Sequence, residues 1–181
     1  MVLHCLRSVR RETYADAKEH LLDWLRDAHA MEQQAEQMLK VQAGRFEHYP
    51  ELKARIEQHL QETLGQQKLV ASCIDRLGGA NSTIKDAAAM LLASGQVLGG
   101  VTMTDEVIKG STASFAFENL EIATYTTLIA AAEAVGDSET ECICEIIVSE
   151  EEAMAAWLRN HLHSVTQRYL QRDREVETAR K

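Results

Sequence analysis

Apolar residues recur in steps of three and four along four long segments of the chain. This spacing places them on one face of an α-helix, and its mean of about 3.5 residues is typical of the seams between helices in a bundle. The predicted interior stripes are Leu21, Leu25, Ala28, Glu32, Ala35 and Leu39; Leu52, Ile56, His59, Thr63, Gln66, Val70, Cys73 and Leu77; Val107, Ser111, Ser114, Glu118, Glu121, Tyr125, Leu128 and Ala132; and Cys144, Ile147, Glu151, Met154 and Leu158. The pattern therefore predicts an all-α protein with four amphipathic helices.

Glycine and proline mark the ends of these helices. Gly44 follows the first helix, Pro50 suits the first turn of the second, and Gly136 follows the third. The predicted helices cover residues 14–43, 50–77, 105–135 and 138–169. A shorter amphipathic helix over 83–93 is predicted between the second and third, with Asn81, Ser82 and Thr83 as capping residues.

The unequal connections predict how the helices are joined. Short turns link the first pair and the last pair, so each pair forms an antiparallel hairpin. About 25 residues separate the two hairpins, and a single long crossover of this kind is typical of ferritin-like four-helix bundles. We expect one bundle over 14–170, preceded by an N-terminal extension (1–13) and followed by a charged, flexible tail (171–181).

Composition narrows the setting of this bundle. A chain of 181 residues is long enough for one domain with a sizeable core, and its net charge of −9 argues against binding to nucleic acid or to an anionic membrane. No segment is predicted to span a membrane, and the opening apolar run is too short for a signal peptide. The four cysteines, Cys5, Cys73, Cys142 and Cys144, lack disulfide-framework spacing, which favours reduced thiols and a cytoplasmic location.

Glutamates interrupt the interior stripes near the middle of the helices. Glu32, Glu118, Glu121 and Glu151 lie within stripes, and Glu62 flanks the stripe of the second helix. A buried ionised carboxylate is destabilising by several kcal/mol unless something compensates its charge. Because several helices place a glutamate at one level, we expect these residues to surround a cation.

Ferritin-like di-iron and di-manganese sites use a glutamate from each of two helices and a Glu-x-x-His motif from each of the other two. Hard divalent cations prefer carboxylate oxygens, and imidazole suits iron. Iron or manganese is therefore the predicted cofactor, with these predicted ligands: Glu32, His59, Glu62, Glu118, Glu121 and Glu151. The motif itself is incomplete, because Gly65 and Met154 stand where its histidines are expected; His59 supplies nitrogen in the reversed order.

Several of these residues have a second interpretation. Glu118 faces either the interior or the edge of the bundle, and His59 is either a ligand or a core histidine bonded to backbone. Tyr125, one turn beyond Glu121, either donates to a carboxylate or packs in the core with its hydroxyl satisfied. Glu150 and Glu152 are expected on a solvated face.

Five motifs carry a resemblance to a known family: DWLRDAHAMEQQAEQML (23–39), YPELKARIEQHLQET (49–63), DEVIKGS (105–111), FENLEIATYTTLIAAAEAVGD (117–137) and SEEEAMAAWL (149–158). In this order they resemble the YciE/YciF family of bacterial ferritin-like proteins, and YciE most closely. The resemblance spans about residues 14–170. It implies a ferritin-like bundle, often dimeric, that is associated with bacterial stress responses and suspected of binding metal, with no established reaction.

Three functional hypotheses follow. The first is a dinuclear carboxylate metalloprotein that reacts with peroxide or dioxygen, and the second is a subunit of a metal-storage cage. The third is a structural or interaction protein whose metal site is empty or vestigial, as the missing Glu-x-x-His motifs suggest. A homodimer is expected through the outer face of the first helix, where Leu22, Trp24 and Met38 lie off the interior stripe.

Overall fold

The computed structural model describes residues 2–79 and 105–179, with side chains from residue 16 onwards. The described residues form four helices and no strand: α1 (Val2–Ala43), α2 (Pro50–Arg76), α3 (Glu106–Val135) and α4 (Ser138–Ala179). The all-α prediction is confirmed. None of these helices has a stretch apolar enough to cross a bilayer. The short helix predicted over 83–93 lies outside the described residues.

Local chemistry fixes the turn between α3 and α4. Gly136 adopts the left-handed conformation, with φ 67°, and the Asp137 N–H donates to Ala132 O at 2.9 Å, as in a Schellman motif. Asp137 then caps α4, because its carboxylate accepts from the Thr140 N–H at 3.3 Å and from the Thr140 hydroxyl at 2.8 Å. The two helices therefore reverse direction within two residues.

The predicted outer ends of the first and last helices were wrong. α1 begins at Val2 rather than near residue 14, and α4 continues to Ala179 rather than ending near residue 169. Local interactions support the added turns of α4: Gln171 donates to Glu175 at 3.0 Å, and Arg174 donates to Leu170 O at 3.2 Å. Pairs at this spacing stabilise a helix without burying apolar surface, so the absence of an apolar stripe did not end it.

Contacts at the helix ends establish the topology. Arg45 after α1 pairs with Glu106 at the start of α3 (3.2 Å), whereas Arg76 at the end of α2 pairs with Asp137 before α4 (2.8 Å). The connection from α2 to α3 therefore starts at one end of the bundle and finishes at the other, a distance of about 40 Å for a helix as long as α2. Two antiparallel hairpins joined in this way form a ferritin-like bundle, as predicted.

Two apolar layers enclose a polar layer in the interior. The first apolar layer includes Leu25, Val70, Leu128 and Ile147, and the second includes Leu39, Ile56, Met154 and Leu158. The polar layer between them contains Glu32, His59, Thr63, Gln66, Glu118, Glu121 and Glu151, all buried. Each predicted stripe is buried along its length, except that Leu77 is only partly buried.

The outer face predicted for α1 is only partly correct. Trp24 is 41% exposed, but Met38 is 5% exposed and Leu22 packs against the first apolar layer. α1 contacts both α2 and α3. Residues on two of its faces are therefore buried, and not only those of the predicted stripe. Of the three residues, Trp24 alone offers a large apolar surface.

Candidate metal centre

Three helices bring four potential metal ligands together. His59 comes from α2, Glu118 and Glu121 come from neighbouring turns of α3, and Glu151 comes from α4. Each offers one ligand atom, and these atoms all lie within 4.8 Å of one another. All four residues are 0–1% exposed. We call them the four-residue cluster; in it Glu118 faces inward, which settles the alternative that the stripe left open.

His59 occupies the centre of this arrangement. Its Nε2 lies 3.0 Å from Glu118 Oε2 and 3.2 Å from Glu151 Oε2, while its Nδ1 lies 2.8 Å from Glu62 Oε2. Its ring is therefore bonded to side chains and not to backbone, so the alternative of a core histidine bonded to backbone is wrong. A single N–H cannot point at both inner carboxylates, so these two contacts are ion pairs without well-aligned hydrogen bonds.

Glu62 lies on the outer side of His59 and outside the four-residue cluster. Its side chain is 22% exposed and also accepts from Arg55 at 3.1 Å and from Gln58 at 2.9 Å. The His59 contact and Arg55 lower the pKa of Glu62 to about 2, against the effect of its partial burial. Glu62 as a direct ligand stays a prediction. Arg55 and Gln58 were missed, although their spacings of seven and four residues place them beside Glu62 on one helix face.

Glu32 of α1 lies beside the cluster and is held by Tyr125. The Tyr125 hydroxyl donates to Glu32 Oε1 at 2.5 Å, and both residues are fully buried. Tyr125 thus packs in the core and also donates to a carboxylate, so both of its predicted roles are found. The other oxygen of Glu32, Oε2, has no hydrogen-bond partner among the described residues.

Gln66 orients the carboxylate of α4. Its Nε2 donates to Glu151 Oε1 at 2.5 Å and to Glu150 Oε2 at 2.9 Å. Glu150 is consequently half-buried and bonded, whereas Glu152 is exposed as expected. Thr63, one turn before Gln66, donates its hydroxyl to His59 O at 3.0 Å. The α2 stripe thus supplies both a nitrogen ligand and an amide that fixes the position of Glu151.

Burial makes the carboxylates of the layer resist ionisation. It raises the pKa of Glu32 to about 8 and that of Glu118 to about 8, and it raises the pKa of Glu121 well above the usual range. Neighbouring carboxylates add to each shift, because like charges at short range oppose one another. The metal-free layer at neutral pH therefore holds protons on several carboxylates.

His59 and Glu151 form the ionised pair in this layer. Burial alone would lower the pKa of His59, but its contacts with Glu118, Glu151 and Glu62 raise it to about 12. Burial likewise opposes ionisation of Glu151, yet the contacts with His59, Glu118 and Gln66 hold its pKa below the usual range. Without a cation, an imidazolium and shared protons therefore compensate the negative charge.

Within the described ranges, several carboxylate oxygens in the polar layer lack hydrogen-bond partners and could bind a cation. Glu32, Glu118, Glu121 and Glu151 each have an Oε2 atom that is buried without a hydrogen-bond partner among the described residues. Buried polar atoms are normally bonded, so four such atoms in one layer are unusual. Oxygen ligands with one imidazole suit iron, manganese and other divalent cations, and the residues present fit such an ion. Such an ion would replace the protons on the carboxyl groups and the proton on the His59 ring.

The fold and this layer together define a ferritin-like four-helix bundle with a buried carboxylate–histidine cluster. The family described as Domain of unknown function (DUF892) matches residues 16–171. The chain belongs to this family, and its resemblance to YciE/YciF-like proteins is confirmed.

Solved structures agree with this assignment. A protein from Xanthomonas campestris is 42% identical, with a TM-score of 0.75 over 88% of this chain and 99% of that one. YcfI from Rhodopseudomonas palustris is 27% identical, with a TM-score of 0.63 over 79% of this chain and 92% of that one. The E. coli stress protein YciF is 20% identical, with a TM-score of 0.69 over 83% and 97% of the two chains, which supports the fold alone.

Proposed function

We propose that the protein binds iron or manganese at the four-residue cluster. The observation that carries this proposal is the cluster of buried carboxylate oxygens around His59, whose ligand atoms all lie within 4.8 Å of one another; among them, Oε2 of Glu118, Glu121 and Glu151 has no hydrogen-bond partner in the described part of the chain. Loss of protons from the glutamates and from His59 on metal binding is the expected exchange, because ligands bind metals in their deprotonated forms. Binding then replaces protons held in the layer by the charge of a divalent ion.

Other residues of the layer have supporting roles in this proposal. Glu62 fixes the ring of His59 through Nδ1, and Gln66 fixes Glu151; carboxylates and amides in such positions commonly orient metal ligands. Glu32, held by Tyr125, is a fifth carboxylate at the side of the cluster and the natural ligand for a second ion. Iron or manganese would supply redox chemistry towards peroxide or dioxygen, while the two apolar layers limit the access of water.

A role in bacterial stress is part of the proposal. YciF, which has the same fold, is described as a stress protein, and peroxide is a stress for which a redox metal site is suited. The described cysteines, Cys73, Cys142 and Cys144, are free, which supports a cytoplasmic location.

Metal analysis tests the central claim. Protein purified without a histidine tag is stripped with chelator, reconstituted anaerobically with Fe(II) or Mn(II), desalted, and measured by plasma mass spectrometry. We expect one to two ions per chain in the wild type and in Glu152→Gln, whose glutamate is exposed on α4. Glu151→Gln should lose most of the metal. If the reconstituted wild type holds no more than trace metal, the proposal is excluded.

A second candidate is a structural bundle that functions without metal. The specific observation in its favour is that His59, when protonated, already pairs with carboxylates on both sides of its ring. In that case added Fe(II) or Mn(II) should leave the melting temperature of the wild type unchanged. A rise that saturates with metal concentration, and that is absent in Glu151→Gln, would favour the metalloprotein instead.

A further inference from the structure

A concentration of positive charge lies at the end of the bundle formed by the turn between α1 and α2. Arg168 and Arg172, one turn apart on α4, each place the guanidinium carbon 5.6 Å from the centre of the Tyr49 ring. Both distances lie within the range of a cation–π contact. Tyr49 itself is buried between α2 and α4, so its ring is a fixed platform for the two guanidiniums.

Neither arginine is neutralised within the described part of the chain. No ion pair joins Arg168 or Arg172 to a carboxylate there, and like charges four residues apart on a helix repel. In a chain of net charge −9, two uncompensated cations directed at one ring are unexpected. A bound anion would remove this repulsion.

A cavity of about 350 Å³ opens beside this pair. Arg172, Tyr49 and Tyr169 form part of its wall, and Arg45 and His48 from the α1–α2 turn contribute further basic groups. Small-molecule sites commonly have a volume of about 300–1,000 Å³ and combine apolar walls with a few directed polar groups. The size and chemistry of the cavity therefore suit a small organic ligand.

Two carboxylates also line the cavity and limit what it can accept. Glu106 is paired with Arg45 at 3.2 Å, and Asp173 lies next to Arg172 in the sequence. Apolar walls come from Phe46, Val107 and Val176, the last being half-exposed at the rim. A second, smaller hollow, which Tyr49 also lines, is bounded by Arg168 and by the stacked rings of Trp157 and His161.

We propose that this cavity binds a small organic anion, with a phosphate or carboxylate head on Arg172 and a flat apolar body against Tyr169 and the apolar wall. Guanidinium groups bind both kinds of head through paired, charge-assisted hydrogen bonds. The cavity lies about 15 Å along α2 from His59, with the second apolar layer between them. It is therefore a site separate from the metal centre.

Three probes distinguish the parts of the ligand: phenyl phosphate, benzoate and inorganic phosphate. Each is titrated into the full-length, metal-free protein at fixed ionic strength, and binding is followed by calorimetry and by amide shifts in NMR spectra. We expect phenyl phosphate or benzoate to saturate, at least tenfold more tightly than inorganic phosphate. The tighter of the two identifies the head group.

Charge-matched variants then locate the binding. Arg172→Gln, in the cavity wall, should weaken the tighter probe by tenfold or more. Arg168→Gln, outside that wall, should weaken it less than Arg172→Gln, and Arg159→Gln, on an exposed turn of α4, should change it less than twofold. Arg172→Lys, which keeps the charge and loses the paired geometry, should fall between Arg172→Gln and the wild type and guards against misfolding of the first variant. Failure of all three probes to saturate by 10 mM, roughly the weakest affinity of interest, or equal loss in Arg159→Gln, would overturn the proposal.

Discussion

Tyr125 and Glu32 show how one buried carboxylate is tolerated in an apolar environment. The tyrosine hydroxyl satisfies one oxygen of Glu32, and burial keeps the pKa of Tyr125 well above its usual range, so the hydroxyl stays a donor. The spacing of the stripes placed both residues in the interior. It could not pair them, because the contact joins α1 to α3 across 93 residues of sequence.

Tyr125→Phe removes this donor and leaves Glu32 with two unsatisfied buried oxygens. We expect the metal-free protein to lose about 1–3 kcal/mol in free energy of unfolding, measured by urea denaturation. Tyr125→Phe combined with Glu32→Met replaces both partners by apolar groups and should recover most of the loss. A double variant no more stable than Tyr125→Phe would show that the pair does not act through this hydrogen bond.

Glu121→Gln tests the compensation of charge in the metal-free layer. Glutamine has the shape of the protonated carboxyl group that burial favours at this position. The variant should therefore be as stable as the wild type in chelator, or up to about 2 kcal/mol more stable, because glutamine is neutral without taking up the proton that the buried glutamate needs on folding. Marked destabilisation in thermal melts would mean that Glu121 is ionised and paired in the metal-free protein.

At the scale of the element, the sequence predicted the helix interiors and the helix ends beside the turns, but not the outer ends of α1 and α4. The His59, Thr63, Gln66 spacing in α2 identified the inward face, and Glu62 falls one position off it, which explains its place outside the cluster. The added turns of α4 carry no apolar stripe and are supported by local hydrogen bonds. The hydrophobic periodicity of the sequence therefore gives no sign of these turns.

Asp137 links three elements at one end of the bundle. Burial would raise its pKa, but Arg76 and Thr140 outweigh burial and lower it. Because the folded-state pKa is depressed, the stabilisation is complete above the unfolded value and is lost as pH falls through the folded one. Asp137→Ala should therefore lose about 1 kcal/mol at pH 7 and differ less from the wild type at pH 3.

Urea denaturation at both pH values measures this difference, with Glu139→Ala as the control. Glu139 also contacts Arg76, at 3.4 Å, but it is exposed and does not cap the helix. Its removal should change the free energy of unfolding by at most about 0.5 kcal/mol. A deficit of Asp137→Ala that is the same at pH 3 and pH 7 would assign the effect to packing.

Two glycines within helices should respond in opposite ways to alanine. A Cβ at Gly65 of α2 would meet no atom within 4 Å, whereas at Gly110 of α3 it would lie 2.9 Å from Phe46 Cζ. Gly65→Ala should raise stability by about 0.5–1 kcal/mol through helix propensity. Gly110→Ala should lower the melting temperature, because the added Cβ would displace the buried Phe46 ring. A melting temperature for Gly65→Ala below that of the wild type would contradict the open space at that site.

At the scale of the molecule, the order of the helices and the crossover were correctly predicted, since two short turns and one long connection leave few arrangements. The number of chains in the assembly is a separate matter. The apolar surface on α1 is smaller than predicted, since Met38 is buried within the chain. Trp24, stacked on His20, remains its main exposed group.

We expect a homodimer in which Trp24 is buried. Native mass spectrometry at micromolar concentration should give twice the 20.2 kDa mass of one chain. Trp24→Glu should shift the population towards monomer, and Ile146→Glu, an exposed site on α4, should not. Monomer alone in the wild type would contradict the expectation.

The buried polar layer also bears on how the four helices find their alignment. If any helix slid along its axis by one turn, about 5.4 Å, polar residues that it contributes to the layer would face aliphatic side chains of an apolar layer. Apolar layers alone tolerate such a slip, because leucine packs against leucine in either position. The contacts of His59 with glutamates from two other helices are made in one alignment only. The buried polar residues, which lower the stability of the metal-free interior, therefore also select a single register for the bundle.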